Sequence, residues 1–238
     1  MKWSIGRNYA SEWQGRAVRR TMILYTYFRS SAAYRARLAL SLKGIAYESR
    51  FVHLLRHGGE QHDPAYRRLN PLGRVPTLVD GERVINQSVA IMEYLEETRP
   101  DPAILPSDPL ARARVRAITQ VFAADTQPLQ NLAVRVYLRD VLHQTDPVMD
   151  EWMRHWMSNG LAAVEQMLAG APHEEGPAYC VGSFPTMADI CLVAQCFSSR
   201  RMGVSVDAFP RVARIDEHCR SQPRFAAAAP QAQPDFEP

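Results

Sequence analysis

The junction that begins at Met22 constrains this chain more than any other stretch. Met22 to Thr26 is rich in β-branched, aromatic and aliphatic residues and predicts a short strand. The pattern breaks at Ser30-Ser31. It resumes with Leu38, Leu42 and Ile45 near one face and Ala39 beside them, predicting a helix that Gly44 stops. Two serines at such a junction can act as N-caps. They also leave backbone N–H groups free at the positive end of the helix dipole, which favours an anion. Arg29, Arg35 and Arg37 place further cations near that end. Each opposes the dipole at a cost of a few tenths up to ~1 kcal/mol, which an anionic ligand would relieve. From this stretch alone, a plain capped helix with surface arginines fits equally well.

With 238 residues the chain can hold one large domain or two small ones. An apolar fraction of 46% and a charged fraction of 22% are ordinary for a soluble globular protein. No apolar run reaches the ~20 residues of a membrane span, so no membrane partner is expected. The formal charge is +3, but the first twenty residues carry Lys2, Arg7, Arg16, Arg19 and Arg20 against Glu12. The remainder is near neutral, and the basic balance gives no argument for a nucleic-acid partner. Residues 1–20 are Arg-rich and acid-poor, weakly like an organelle transit segment. They read as a disordered leader or the product of an upstream start. Cys180, Cys191, Cys196 and Cys219 form no CxxC pair and no metal spacing with histidine, so no metal site is expected. Free, mostly buried thiols in a reducing, cytoplasmic compartment are the reading.

Further along, Tyr47 to Leu54 predicts a second strand, and Pro64 to Leu69 a short helix with proline at an early position. Val75 to Val79 predicts a third strand, Asp80-Gly81 a tight turn, and Arg83 to Ile85 the returning fourth strand. Gln87-Ser88 precedes an amphipathic helix, Val89 to Thr98. Residues 21–100 thus read as a β-α-β-α-β-β-α unit. Pro100, Pro102, Pro106 and Pro109 mark residues 101–109 as a linker. Residues 110–238 read as all helical. One helix runs from Leu110 to at least Ala124, with Pro128 kinking or interrupting it, and another from about Pro147 to Leu168. Thr186-Met187-Ala188-Asp189 fits a capping box at the head of a buried helix, Ile190 to Phe197. Phe209-Pro210 opens a helix ending near Ser221. The Ala- and Pro-rich tail from Gln222 reads as mostly peripheral.

These residues together resemble a cytosolic glutathione transferase: α/β plus all-α, with a thioredoxin-like N-terminal domain followed by a helical C-terminal domain. Tyr27-Phe28-Arg29-Ser30-Ser31 followed by Tyr34-Arg35-Ala36-Arg37-Leu38 is similar to the zeta class, which includes maleylacetoacetate and maleylpyruvate isomerases. So are Asn70-Pro71, Tyr94-Leu95-Glu96-Glu97, Gln127-Pro128-Leu129-Gln130-Asn131-Leu132 and Thr186 to Val193. The resemblance covers roughly residues 22 to 235.

The resemblance implies a glutathione cofactor. Val75 would present its backbone to the cysteinyl part, with Pro76 in cis, and Gln87 and Ser88 would hold the γ-glutamyl end. Gln61 matches a contact in the loop after the second strand, although a solvated loop glutamine fits that residue almost as well. Gln127 and Asn131 would line the site from the second domain. The activity implied is cis–trans isomerisation of a maleyl keto acid, a small dicarboxylic substrate, to its fumaryl isomer. Ser31, with Ser30 as understudy, would lower the thiol pKa by hydrogen bonding. Arg29 and Arg201 would hold the substrate carboxylates and the developing enolate. Arg200 and Arg201 also fit as plain cations at a helix C-terminus. Where the family pattern has a cysteine after the two serines, this chain has Ala32. A homodimer is also implied. Two other functions fit the same residues: a glutathione S-transferase that conjugates electrophiles or dehalogenates α-halo acids, and a non-catalytic binding protein of the same fold.

Overall fold

A computed structural model describes residues 21–169 and 178–237, so the segment read as a leader lies outside the described residues. Strand β1 (Met22–Thr26) alternates buried and half-buried side chains, which puts Met22, Leu24 and Thr26 on the covered face of the sheet. Helix α1 (Ser31–Leu42) is the crossover that lets β2 (Tyr47–Phe51) pair parallel to β1. After the short helix α2 (Pro64–Leu69), β3 (Thr77–Asp80) runs antiparallel on the other side of β1, with Ile23 opposite Val79 and Tyr25 opposite Thr77. Strand β4 (Arg83–Asn86) closes the order β2-β1-β3-β4, and helix α3 (Ser88–Thr98) returns to pack against α1. This is the thioredoxin-like α/β unit expected.

Local departures have local causes. Strand β3 starts at Thr77, two residues later than expected, because the Val75-Pro76 peptide is cis and Pro76 has no N–H for a ladder. The hairpin turns at Gly81-Glu82, one residue later than expected. Asp80 still pairs with Arg83, while Gly81 takes the left-handed conformation at φ +64°. Strand β2 ends at Phe51, short of Leu54.

The stretch between the sheet unit and the helices is tied down. Buried Lys43 donates from Nζ to Glu96 at 2.6 Å and to the carbonyls of Arg99 and Pro102. Glu96 in turn accepts from the N–H groups of Ile104 and Leu105.

Helix α4 (Pro109–Gln120) is interrupted just ahead of Pro128, one of the two outcomes expected there. It widens first, into a π turn over Val121–Thr126 in which the Thr126 hydroxyl donates to the Val121 carbonyl at 2.8 Å. Gly160 of α6 (Asp146–Ala169) makes room for this turn: a Cβ there would fall 2.1 Å from Thr126 Oγ1. Helix α5 (Leu132–Asp140) was not expected. None of its residues is buried, so it carries no core stripe to read. Helix α7 (Met187–Arg201) has the expected capping acid, since Asp189 accepts from Thr186 N at 2.7 Å and Cys180 N at 2.6 Å. It extends past both expected ends. Helix α8 (Pro210–Arg220) follows.

The tail corrects the expectation of a peripheral segment. Helix α9 (Pro223–Ala228) packs on α1, with Phe225 and Ala228 buried, and Ser41 Oγ donates to the Arg224 carbonyl at 2.7 Å. Arg37 is fully buried and ties the tail to the first strand. It donates to Ala228 O, Thr26 Oγ1, Tyr27 O and Phe28 O at 3.0–3.2 Å. One continuous apolar core runs from Leu24, Leu38 and Leu78 through Ile91 and Leu95 to Phe122, Leu161 and Leu192. A smaller cluster of Tyr27, Phe28, Ala33, Val52, Tyr66 and Val75 lies around the strand-to-helix junction.

Candidate active site

The junction delivers what the two serines promised. Ser30 is the N-cap of α1, extended at φ −75°, ψ 118°, and its Oγ accepts from Ala33 N at 3.2 Å. The next two N–H groups, of Ser31 and Ala32, have no acceptor among the described residues, and the first turn holds no acid. These donors and the dipole together make a seat for an anion or a thiolate.

Beside Ala32 a narrow cleft of about 60 Å³ opens between α1, the cis Val75-Pro76 bond, the head of α3 and the end of the π turn. Val75, Pro76, Gln87, Ser88, Gln127 and Asn131 all line it. Val75 stands outside the sheet ladder, leaving its backbone groups for another partner. Gln87 occupies the N-cap of α3 at φ +71°, a left-handed conformation that costs a non-glycine residue about 1–3 kcal/mol. Its side chain makes no capping hydrogen bond to the helix. Asn131 uses Oδ1 to cap α5, accepting from Ala133 N at 3.0 Å, and its amide N–H groups have no acceptor among the described residues. The Gln127 side chain makes no hydrogen bond among the described residues.

Arg35 is the residue that sequence reasoning underused. It lines the cleft, is almost fully buried, and donates from Nε to Ser88 Oγ at 3.0 Å. No acidic side chain pairs with it among the described residues. Burial pushes its pKa down, only partly offset by the Cys191 thiol beside it. A buried guanidinium without a counter-ion is costly, and a carboxylate entering the cleft would offset that cost. The signal was an arginine one helical turn from Ser31, within a run otherwise destined for the core.

The other expected residues divide into two groups. Arg29 and Arg201 meet at the junction: Arg201 Nη1 donates to the Arg29 carbonyl at 3.4 Å, and the Arg29 guanidinium lies 5.2 Å from the centre of the Phe28 ring. Burial, and then the neighbouring Arg29 charge, lower the Arg201 pKa. Arg201 also borders a larger cavity of about 780 Å³ with Tyr34, Phe197 and Phe225. Arg200 turns away to the buried Asp216 at 2.6 Å. Gln61 does not reach the cleft lining. It is buried, and its amide donates to the Leu54 carbonyl at 3.3 Å, while its Oε1 is buried without a partner.

All four cysteines are buried and unpaired, and burial pushes each thiol up, Cys191 to about 11. None of them supplies a thiolate at neutral pH. Among the described residues no group of side chains could hold a metal ion, and no helix is long and apolar enough to cross a membrane.

Residues 29–98 match the family model of the glutathione S-transferase N-terminal domain. The chain is 46% identical over 215 residues to the maleylacetoacetate isomerase of Pseudomonas aeruginosa, which covers 90% of this chain and 98% of that one. Its fold superposes on a zeta-class bacterial maleylpyruvate isomerase with a TM-score of 0.86 at 39% identity, covering 90% of this chain and all of the other. It also superposes on the maleylacetoacetate isomerase of Methylobacterium extorquens, solved with bound malonate and glutathione, with a TM-score of 0.85 at 38% identity, over 91% of this chain and all of that one. The chain therefore belongs to the zeta-class glutathione transferases, the family of the maleylacetoacetate and maleylpyruvate isomerases.

Proposed function

We propose that this protein catalyses the glutathione-dependent cis–trans isomerisation of a maleyl keto acid, maleylacetoacetate or maleylpyruvate, to its fumaryl isomer. The observation that carries the reading is the charge of the cleft. Its walls offer the buried, acid-free Arg35, Ala32 at the head of α1 and the amides of Gln127 and Asn131, with the N–H groups of Ser31 and Ala32 unclaimed among the described residues. That set fits a carboxylate-bearing peptide, and the Val75 backbone, outside the strand ladder and beside the cis peptide, fits its main chain. Bound glutathione supplies the thiol whose addition to the double bond, and later elimination, allows rotation about that bond.

The protein's own work is then to bind, orient and polarise. Ser88 and Arg35 hold the γ-glutamyl carboxylate, with Gln87 alongside, and Gln127 and Asn131 close the cleft from the helical side. Gln61 would join them only by turning its amide from Leu54. Ser31 donates a hydrogen bond to the thiolate, helped by the N–H groups of Ser31 and Ala32, and Ser30 fixes that turn through Ala33. Arg29 and Arg201 hold the substrate's carboxylates and stabilise the enolate charge that develops beside them. With Ala32 in place of a cysteine, no protein thiol shares this work.

Residues 21–100 form the glutathione-binding unit, 101–109 the linker and 110–238 the substrate-binding unit in this reading. A cytoplasmic homodimer goes with it, and light scattering on the purified chain reports that state. The test of function is the ultraviolet change of maleylacetoacetate and maleylpyruvate with enzyme, with glutathione, and with both. A rate with both that does not exceed glutathione alone, on either substrate, refutes the proposal. Conjugation of an α-halo acid without isomerisation would instead assign the transferase reading.

A further inference from the structure

The backbone that carries Arg29, Ser30 and Ser31 is held from the far end of the chain. Asp235, in the last four residues, accepts from the Phe28 N–H at 2.9 Å, across 207 residues of sequence. Phe236 stands edge-on to the Phe28 ring, centroids 5.4 Å apart, and Arg29 lies against the same ring. Glu237 pairs with Arg56 and lies 3.5 Å from His53, whose ring packs edge-on against Tyr27 at 4.7 Å. Arg37 takes the carbonyls of Tyr27 and Phe28 while also holding Ala228 O at the end of α9.

The Tyr27 and Phe28 side chains are buried in their cluster and Ser30 N donates back to Tyr27 O at 3.1 Å, but the backbone at Phe28 and Arg29 has few holds of its own. The Phe28 carbonyl and N–H are claimed by Arg37 and Asp235 alone among the described residues, and the Arg29 carbonyl only by Arg201. A sheared or tilted loop would move Ser31 and the Arg29 guanidinium together. Among the described residues the second Asp235 oxygen is buried without a hydrogen-bond partner, so the carboxylate's contacts there are the bond to Phe28 and the charge of Arg37.

We infer that Asp235 is a positioning residue for the reaction: through the Phe28 N–H it clasps the loop that aims Arg29 and Ser31. The clasp acts on the chemical step more than on glutathione affinity, because Ser88 stands on α3 and Arg35 lies a full turn into α1, past the loop itself. This rests on the proposed isomerase reading only in its kinetic arm.

The experiment uses the full chain as wild type, Asp235→Ala and Asp235→Asn. Hydrogen exchange is followed in the peptide spanning residues 27–33, together with kcat, KM and the thiol pKa of bound glutathione. For Asp235→Ala, exchange in that peptide rises about tenfold or more, since the clasp is opened. Its kcat falls about 10- to 100-fold, as misplacement near 1 Å does, while KM for glutathione stays within about threefold. The thiol pKa rises. Asp235→Asn keeps an oxygen acceptor for the Phe28 N–H and recovers most of the kcat and the protection. A variant with lower thermal stability but unchanged kcat and unchanged exchange overturns the inference, as does faster exchange with wild-type kcat. If the wild type itself does not isomerise maleyl acids, the functional reading fails, and the exchange and pKa arms alone decide whether Asp235 holds the loop.

Discussion

Replacing Arg35 by methionine should make the empty protein more stable and the loaded one less so. Arg35 is buried beside Ser88 with no acidic partner among the described residues. Burying a guanidinium costs several kcal/mol, and its bond to the Ser88 hydroxyl, with the Cys191 thiol beside it, gives back about 1.5–3 kcal/mol. An apolar chain of similar length removes both, for a net gain of about 1–2 kcal/mol in the unliganded protein. For a chain of this size each kcal/mol moves Tm by about 2–4 °C, so the unliganded Tm rises. Glutathione loses a charge-assisted bond to its carboxylate, which raises Kd about 10- to 150-fold. At a concentration 100 times the wild-type Kd, glutathione stabilises the wild type by about 2.7 kcal/mol. A variant bound 50-fold more weakly gains only about 0.6 kcal/mol at the same concentration. Scanning calorimetry with and without glutathione, and titration calorimetry for Kd, therefore give curves that cross. If Arg35→Met lowers the unliganded Tm and leaves Kd unchanged, Arg35 is a packing residue and the reading of the cleft is wrong.

Other predictions concern single groups. Ser31→Ala raises the pKa of the bound glutathione thiol, seen as a shift in thiolate absorbance on titration; no shift moves the role to Ser30 or to the helix N-terminus alone. Arg201→Ala raises KM for a maleyl substrate or lowers kcat, about tenfold or more for one charge-assisted bond; if neither changes, Arg201 only ends its helix. Burial keeps all four cysteines protonated through pH 8, so the described thiols resist alkylation in the native protein and react together on unfolding, which mass spectrometry counts.

Much of the site was legible because its parts are local. The N-cap at Ser30, the Val75-Pro76 peptide and the head of α3 each depend on a few adjacent residues, and each stands where the pattern put it. What stayed hidden depends on the third dimension. Arg35 and Arg37 look alike as helix arginines, yet one faces the cleft and the other is sealed between the first strand and the tail. The tail reads as peripheral because alanine and proline carry little apolar signal. It is Phe225 and the backbone carbonyl of Ala228 that anchor it. Helix α5 escaped because nothing on it is buried. The π turn escaped because the glycine that makes room for it, Gly160, lies on another helix.

The most direct test of a catalytic, unconsumed glutathione is its stoichiometry. Purified protein is given maleylacetoacetate and maleylpyruvate with one-tenth equivalent of glutathione, and proton NMR follows the alkene signals. Isomerisation predicts full conversion to the fumaryl isomer of at least one substrate, with all the glutathione free at the end. Conversion that halts at one-tenth, with the glutathione held as a stable conjugate, contradicts it.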